Sequence, residues 1–404
     1  MKMRRSGTNS RDLKIRNRLL VRNIIRESGP IARYQIARTT GLTPPTVTVI
    51  VNELMEEGVV GEVGIGESSG GRRPVLLALN PGAAFVYAVR LQRGQAFCAL
   101  IDVAGNNLGK QEIKLDTSSP EDVTSRIAST LDALLQANEV KQEKVLWCGV
   151  ASPGLVNPAS GVVERSTNLG WTRVRFGSML SHNLGGMRVH VENISNAAAI
   201  AEMEYGRAGG CNNLVYMNLS VGIGAGIIAN GEIFGGARGY AGEIGHMAMS
   251  LRDGAECSCG KRGCFEAYCG LHAVMERLQN VLSDDVLTSH GVSRSELSVV
   301  NILNTPIGRI PAVSEVLNDV AYMVGITVSN LISLLDPELV VLGGELAQAG
   351  DEFIETVART AQARSFREMA AVCKVVKSTM REDPPLMGAY SLALSHALAA
   401  DQWS

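Results

Sequence analysis

The chain has 404 residues, of which 46% are apolar and 19% are charged. This apolar content can bury a sizeable core, so disorder along the whole chain is excluded, and the length predicts about two or three domains. The net charge is −2, which as an average argues against a nucleic-acid partner.

Charge is distributed very unevenly along the chain. Residues 1–38 carry eleven Lys/Arg and only two acidic residues, a net charge of +9. Beyond residue 80 there are 25 basic and 33 acidic residues, a net charge of −8. This asymmetry indicates a basic module on an acidic body, although charge alone also fits a solvated basic tail.

Export and membrane insertion are not expected. The first 25 residues are rich in arginine and lack the apolar core of a secretory signal. The longest uncharged stretch, 208–231, is interrupted by six glycines. We therefore expect a cytoplasmic protein without a membrane partner.

Three helical patterns follow one another in the basic region. Residues 13–28 place apolar side chains at helical spacing opposite a row of arginines, and Gly29-Pro30 ends this helix. Residues 31–39 predict a short second helix. Thr43 is placed to cap a third helix, which begins with two prolines and ends at Gly58. Two helices joined by a short turn that contains glycine predict a helix-turn-helix.

The third helix and the segment after it carry the candidate DNA contacts. Short polar side chains on the helix can meet base edges in a major groove. Predicted strands at 59–65 and 75–79 flank a glycine-rich tip with two arginines, as in a wing that reaches phosphates, although such arginines can also merely solvate a hairpin. Residues 1–82 are thus predicted to form a winged helix-turn-helix that binds double-stranded operator DNA. The candidate contacts are Thr43, Pro44, Thr46, Thr48, Asn52, Arg72 and Arg73.

From about residue 83 strands alternate with helices, which predicts an α/β body. Strands are predicted at 85–89, 96–102, 145–150, 189–192, 214–219, 225–229 and 339–342. Helices are predicted at 121–138, 197–206, 316–335 and 353–363.

Several motifs of this body resemble those of the ROK family, which groups repressors, open reading frames and sugar kinases. The most specific is Cys-Ser-Cys-Gly-Lys-Arg-Gly-Cys-Phe-Glu at 257–266, and the others lie at 149–156, 168–171, 191–198 and 242–246. The resemblance implies a two-lobed actin-like (ribonuclease-H-like) sugar-kinase fold, with lobe 1 at 83–192 and 385–404 and lobe 2 at 193–384. It also implies a set of sugar-binding residues, namely Asn168, Asn193, Glu243, His246 and Glu266.

Three of the eight cysteines, Cys257, Cys259 and Cys264, fall within eight residues. Thiolates on a glycine-rich turn with a histidine nearby suit tetrahedral zinc, and a cytoplasmic location disfavours disulfides. This spacing is not that of a common zinc finger, and the resemblance supplies His246 as the fourth ligand of a structural Zn²⁺. The other cysteines are expected to be small buried apolar residues, namely Cys98, Cys148, Cys211, Cys269 and Cys373.

The resemblance implies three phosphate-handling features in ROK kinases, and each is altered here. The Asp-x-Gly-Gly-Thr turn aligns with Arg-Leu-Gln-Arg-Gly at 90–94, and the Gly-Thr-Gly loop aligns with Ser-Val-Gly at 220–222. The catalytic Asp, the general base for the sugar hydroxyl, aligns with Ile194, which cannot accept a proton. We therefore expect no enzymatic activity. An ATP-dependent sugar kinase with a DNA-binding domain is the alternative.

Together these features predict a sugar-responsive DNA-binding transcriptional repressor of carbohydrate metabolism genes, which binds its sugar effector between the lobes. The wing at 68–74 is similar to that of xylose repressors and favours xylose, with glucose and N-acetylglucosamine still open. A constitutive regulator in which Ile194 marks a lost sugar site is a further alternative. A homodimer or homotetramer is expected, because two modules on one palindrome multiply weak half-site binding.

Overall fold

The computed structural model describes residues 10–67, 73–206, 208, 210–250, 252–294, 297–303 and 305–399. Arg72 and the outer ends of the predicted domains, 1–9 and 400–404, lie outside these ranges. The N-terminal part contains α1 (Ser10–Ser28), β1 (Ile31–Ala32), α2 (Arg33–Thr40), α3 (Pro44–Glu56), β2 (Val60–Ile65) and β3 (Val75–Leu79). The predicted helix-turn-helix and the hairpin that follows it are therefore present.

The second helix begins later than predicted. Ile31 and Ala32 form the short strand β1, which pairs with Leu77 and Leu76 of β3 in a sheet of order β1-β3-β2. Both residues are buried, and the extended backbone of Ala32 leads into α2. The prediction of helix from residue 31 was wrong because the pairing partner lies more than forty residues further along the chain.

The next part of the chain builds a five-stranded sheet of order β11-β7-β4-β5-β6 and a small three-stranded sheet, β10-β9-β8. Its elements are β4 (Phe85–Gln92), β5 (Gln95–Asp102), β6 (Asn107–Lys114), α4 (Pro120–Ala137), β7 (Val145–Ser152), β8 (Leu155–Asn157), β9 (Val162–Ser166), β10 (Trp171–Val174), α5 (Phe176–Asn183) and β11 (Val189–Asn193). The central strand β4 runs antiparallel to β5 and parallel to β7.

A second five-stranded sheet repeats this pattern, with order β14-β13-β12-β15-β16. Its central strand β12 is antiparallel to β13 and parallel to β15. The elements are α6 (Ile194–Tyr205), β12 (Leu214–Leu219), β13 (Ile223–Ala229), β14 (Glu232–Ile233), α7 (Glu266–Cys269), α8 (Leu271–Val281), α9 (Asp284–Ser289), α10 (Val299–Leu303), α11 (Pro311–Leu335), β15 (Leu339–Gly343), α12 (Asp351–Arg364), α13 (Arg367–Ala370) and β16 (Lys374–Lys377). The body is thus an α/β structure of two similar halves.

The long helix α11 has the length and apolar composition of a membrane-spanning helix. However, 61% of its most apolar 18-residue stretch is buried inside the protein. Its buried side chains pack in the core of the second sheet, together with those of α8 and α12. This burial is expected of a core helix.

The last helix, α14 (Pro384–Ala399), returns to the first sheet and crosses α6. Two glycines allow the close approach. A Cβ on Gly388 would lie 1.7 Å from the carbonyl oxygen of Ala197, and one on Gly149 would lie 1.9 Å from that of Ala389. Helices α6 and α14 are therefore packed backbone against backbone beside the first sheet.

The N-terminal module rests on the C-terminal end of α14. Val21 and Ile25 of α1 share one apolar core with Tyr390 and Leu398 of α14. The buried guanidinium of Arg22 donates to the carbonyl oxygen of Leu398, in the last turn of α14. A cation is favourable there, because the final carbonyls of a helix have no partner within the helix.

Candidate functional site

Helix α3 presents the predicted DNA-contacting residues of the helix-turn-helix. Thr43 is the N-cap, and its hydroxyl accepts a hydrogen bond from the backbone N–H of Thr46 at 3.4 Å. Val47, Ile50 and Val51 are buried on the inner face. Because that face is fixed, the outer face is free to meet a partner.

The hydroxyls on the outer face are largely engaged within the helix itself. Thr43 Oγ1 and Thr46 Oγ1 lie 2.8 Å apart, and Thr48 Oγ1 donates to the carbonyl oxygen of Pro44 at 2.9 Å. Asn52 is exposed, so its carboxamide faces solvent. Sequence reasoning missed Val49, which is 56% exposed on the same face. Its position opposite the buried stripe was readable from the helical period, and its methyl groups suit the methyl group of thymine.

The wing consists of β2 and β3. The backbone N–H of Gly66 donates to the carbonyl oxygen of Pro74 at 2.8 Å and closes the base of the hairpin. Arg73 is exposed beside this base. Arg72, the other predicted wing contact, lies outside the described residues.

All five predicted sugar-binding residues line one cleft of about 250 Å³: Asn168, Asn193, Glu243, His246 and Glu266. The walls come from the end of β4, the β7–β8 turn, the β9–β10 loop, the start of α6, the β12–β13 turn, the loop that carries Glu243 and His246, and the starts of α7 and α8. Polar groups that converge on a concave surface are typical of a small-molecule site. We call this cavity the sugar cleft, after the sugar-binding role that the resemblance implies for these residues.

Asn193 holds the start of α6 against the first half of the body. Its Oδ1 accepts hydrogen bonds from the backbone N–H groups of Ser195 at 2.7 Å and Asn196 at 3.3 Å, which makes it the N-cap. Its Nδ2 donates to the carbonyl oxygen of Gly154 at 2.9 Å. Both ends of the carboxamide are thus engaged, and Asn193 positions α6 as well as lining the cleft.

Two carboxylates face the cleft. Oε2 of Glu266 accepts the backbone N–H of Ile223 at 3.0 Å, and Oε1 accepts the hydroxyl of Ser258 at 3.2 Å. Burial and the neighbouring Glu266 raise the pKa of Glu243 to about 7. A ligand that donates hydrogen bonds to Glu243 would favour the charged form of that carboxylate.

A cluster of His246, Cys257, Cys259 and Cys264 lies behind the sugar cleft, with all four ligand atoms within 4.8 Å of one another. The Sγ atoms of Cys259 and Cys264 are 3.8 Å apart, and Sγ of Cys257 is 3.7 Å from Nδ1 of His246. Bonds of about 2.3 Å to sulfur and about 2.0 Å to nitrogen place tetrahedral ligands about 3.5–3.8 Å apart. The four residues are therefore placed so that they could hold a metal ion, and their spacing is compatible with zinc.

The remaining cysteines are mostly buried, as predicted. Cys98, Cys148, Cys269 and Cys373 are buried, and burial raises the pKa of the Cys98 thiol to about 12. Cys211 departs from the prediction because it is only partly buried.

A network around Arg90 occupies one side of the cleft. The resemblance places the phosphate-handling groups of ROK kinases on this side. Its guanidinium donates to Asp383 at 2.5 Å and to Gln92 at 2.9 Å, and it lies over the ring of Phe97. Ile194 lines the cleft at the first position of α6. Sequence reasoning missed the Arg90–Asp383 pair, since its members lie 293 residues apart and no local pattern joins them.

A sequence model of the ROK family matches residues 86–396. The chain belongs to the ROK family. A model of a winged helix-turn-helix DNA-binding domain matches residues 16–60. The two matches together cover the helix-turn-helix and nearly all of the α/β body.

Three known proteins illustrate the range of this ROK chain's relatives. It is 28% identical to the xylose repressor of Bacillus spizizenii over 385 residues, which is 95% of this chain and 96% of that protein. The crystal structure of a ROK family transcriptional regulator, a homologue of the E. coli MLC protein, superposes with a TM-score of 0.81 at 26% identity, over 97% of this chain and 99% of that one. A ROK glucokinase from Streptomyces griseus, solved with glucose and AMPPNP, superposes with a TM-score of 0.66 at 21% identity, over 77% of this chain and 99% of that one. The likeness to the kinase shows a shared fold.

Proposed function

We propose that this protein is a sugar-responsive, DNA-binding transcriptional repressor of carbohydrate metabolism genes. The observation that carries the proposal is the union of a winged helix-turn-helix with a cleft that keeps sugar-facing polar groups but not the phosphate-handling groups. The proposed division is a DNA-binding domain at 1–82, lobe 1 at 83–192 and 385–404, and lobe 2 at 193–384.

We propose further that the body has no kinase activity. Phosphoryl transfer needs a base at the sugar hydroxyl and a cradle of donors for the phosphates. Ile194 supplies no base, and Arg90 is held by Asp383 where the family's phosphate turn aligns. Similarity along nearly the whole chain to a xylose repressor and to a ROK transcriptional regulator supports this proposal.

The cysteine–histidine cluster would hold a structural zinc ion through His246, Cys257, Cys259 and Cys264. The zinc ion would cross-link this loop and would have a structural rather than a catalytic role. Nδ1 of His246 faces the thiolates, whereas Nε2 lies 4.0 Å from the Glu243 carboxylate on the cleft side. The ring can therefore serve the metal with one nitrogen and a sugar hydroxyl with the other.

The effector would be a sugar, with xylose as the first candidate. Ile194 offers no partner to a hydroxyl, so a sugar that presents a hydroxyl at that point is disfavoured. Similarity to a xylose repressor supports xylose. Glucose and N-acetylglucosamine are the other candidates to test.

Sugar binding would change the angle between the lobes and thereby move the DNA-binding modules of a homodimer or homotetramer off operator spacing. The route runs along α6, which begins in the cleft at Asn193 and ends beside Arg26 of α1, where Glu204 lies 3.7 Å from the guanidinium. We expect the protein to act in the cytoplasm.

Operator affinity of the full chain, measured with and without a panel of sugars, tests the proposal. The expected result is a change of at least tenfold with one sugar. If operator binding is intact but no sugar changes it, and calorimetry detects no binding of any sugar, the protein is instead a constitutive regulator. ATP-dependent turnover of a sugar in a coupled assay would identify a kinase and refute the interpretation of Ile194.

A further inference from the structure

A second cavity, of about 420 Å³, lies beside the sugar cleft and shares five lining residues with it. These are Arg93, Asn168, Val221, Glu266 and His272. We propose that this cavity is a second sugar subsite, so that the preferred effector is a neutral disaccharide that occupies both cavities. This inference rests on the proposed sugar-responsive function.

The sugar cleft also adjoins a third cavity, of about 290 Å³, whose lining includes Asn218, Glu345 and Gln348. Arg90 lines both the cleft and the third cavity, and its guanidinium is held by Asp383 and Gln92. The second cavity is the larger of the two neighbours of the cleft, so we place the second ring there.

The second cavity carries the groups that a sugar ring needs. Thr167 offers a hydroxyl, His272 an imidazole and Glu276 a carboxylate, and Arg93 adds donors at the junction with the cleft. Ser258 donates its hydroxyl to Glu266 and offers its oxygen as an acceptor. His272 and Glu276 lie one helical turn apart on α8 and so project from the same face. These donors and acceptors can pair with hydroxyl groups in several directions.

The charges of this cavity favour a neutral ring over a phosphate. Glu266 and Glu276 face it with one guanidinium, that of Arg93, while Glu256 is paired with Arg262 at 2.6 Å. A phosphate would add about two negative charges to surroundings that are already negative, which is unfavourable. A second neutral sugar ring adds no charge to these surroundings.

The second subsite is built from both halves of the body. Arg93 lies in the β4–β5 turn and Thr167 follows β9 of the first half, whereas His272 and Glu276 belong to α8 of the second. A ring bound there touches both halves at a point further from α6 than the sugar cleft. A disaccharide would therefore hold the lobes together more firmly than its monosaccharide and change operator affinity more.

Calorimetry on the full chain tests this subsite with three matched pairs: xylose and xylobiose, glucose and cellobiose, N-acetylglucosamine and its β-1,4-linked dimer. Glucose 6-phosphate is the charged competitor. For the preferred pair, the disaccharide is expected to bind at least tenfold more tightly than the monosaccharide. Glu276→Gln and Thr167→Val, which change only the second cavity, are expected to reduce this ratio at least fivefold. Glu355→Gln on the exposed face of α12 is the matched control and should keep the wild-type ratio of disaccharide to monosaccharide affinity.

Equal or weaker binding of every disaccharide, or tighter binding of glucose 6-phosphate, would overturn the second subsite and leave the proposed function intact. A wild-type ratio in both variants would also overturn it. Absence of binding by all these sugars would overturn the proposed function together with the subsite. Thermal unfolding of each variant separates loss of the contact from loss of the fold.

Discussion

Arg26 of α1 connects the DNA-binding module to the two helices that lead from the sugar cleft. Its guanidinium lies 3.7 Å from the Glu204 carboxylate at the end of α6 and donates to Ser395 Oγ of α14 at 3.3 Å. The substitution Arg26→Met keeps an unbranched stem of similar length and removes the charge. We predict that it weakens the response of operator binding to sugar while sugar affinity stays the same.

The size of the effect follows from the exposure of the pair. The side chains of Arg26 and Glu204 are 14% and 21% exposed, so solvent screens their attraction in part and the ion pair contributes about 1 kcal/mol. The hydrogen bond from the charged guanidinium to Ser395 contributes about 1 kcal/mol more. A total of about 2 kcal/mol corresponds to about 30-fold in an equilibrium constant, which bounds the coupling that this contact can transmit.

Fluorescence anisotropy with an operator selected from random DNA measures the response as the ratio of operator Kd with and without saturating sugar. Arg126→Met, on the exposed face of α4, is the matched control and should keep the wild-type ratio. A ratio within twofold of wild type in Arg26→Met, with normal unfolding temperature and sugar affinity, would refute transmission through this contact.

Three further substitutions test separate parts of the molecule. Cys264→Ser removes one ligand of the cysteine–histidine cluster, so zinc measured by elemental analysis should fall from about one equivalent to well below half, with a lower unfolding temperature. A wild-type chain purified with less than half an equivalent would contradict the zinc proposal. Asn52→Ala should weaken operator binding by about 1–3 kcal/mol in a gel-shift titration and relax preference at one base pair, and an unchanged Kd would exclude base contact. Ile194→Asp should restore a carboxylate without producing sugar phosphorylation in a coupled assay, because Arg90 remains paired with Asp383. Measurable turnover would show that one residue alone separates this protein from a kinase.

The residues that line the sugar cleft could be named from the sequence because the resemblance to the ROK family rests on short motifs, and their roles stay predictions. Cys257, Cys259 and Cys264 lie close together in the sequence and in the structure. The helical period, with Thr43 as the N-cap, predicted α3. The edge strand β6 was missed, because most of its residues are exposed, three of them are charged, and its one strand partner is β5. A strand at a sheet edge lacks the apolar alternation that periodicity detects.

Long-range pairs lie beyond the reach of local patterns. The row of arginines on α1 was predicted to lie on the face opposite the core, yet Arg22 is fully buried. Its partner, the carbonyl oxygen of Leu398, lies 376 residues away. The helical period shows which residues share a face of α1, but only the tertiary structure shows which element covers that face.

The positively charged side chains of the N-terminal region therefore fall into two groups, those that pair within the protein and those that are exposed to DNA. Arg18 pairs with Glu57 of the same module, while Arg22 and Arg26 bind α14 and α6, so these cations contribute less to DNA binding than their number suggests. Arg38 and Arg73 are exposed and remain available to phosphates. Because Arg26 pairs with Glu204 at the end of α6, we expect a small displacement of α6 to change this pairing directly, while the apolar core keeps α1 on α14. The basic face of α1 is thus in part a surface through which we expect the sugar cleft to reach the DNA-binding module.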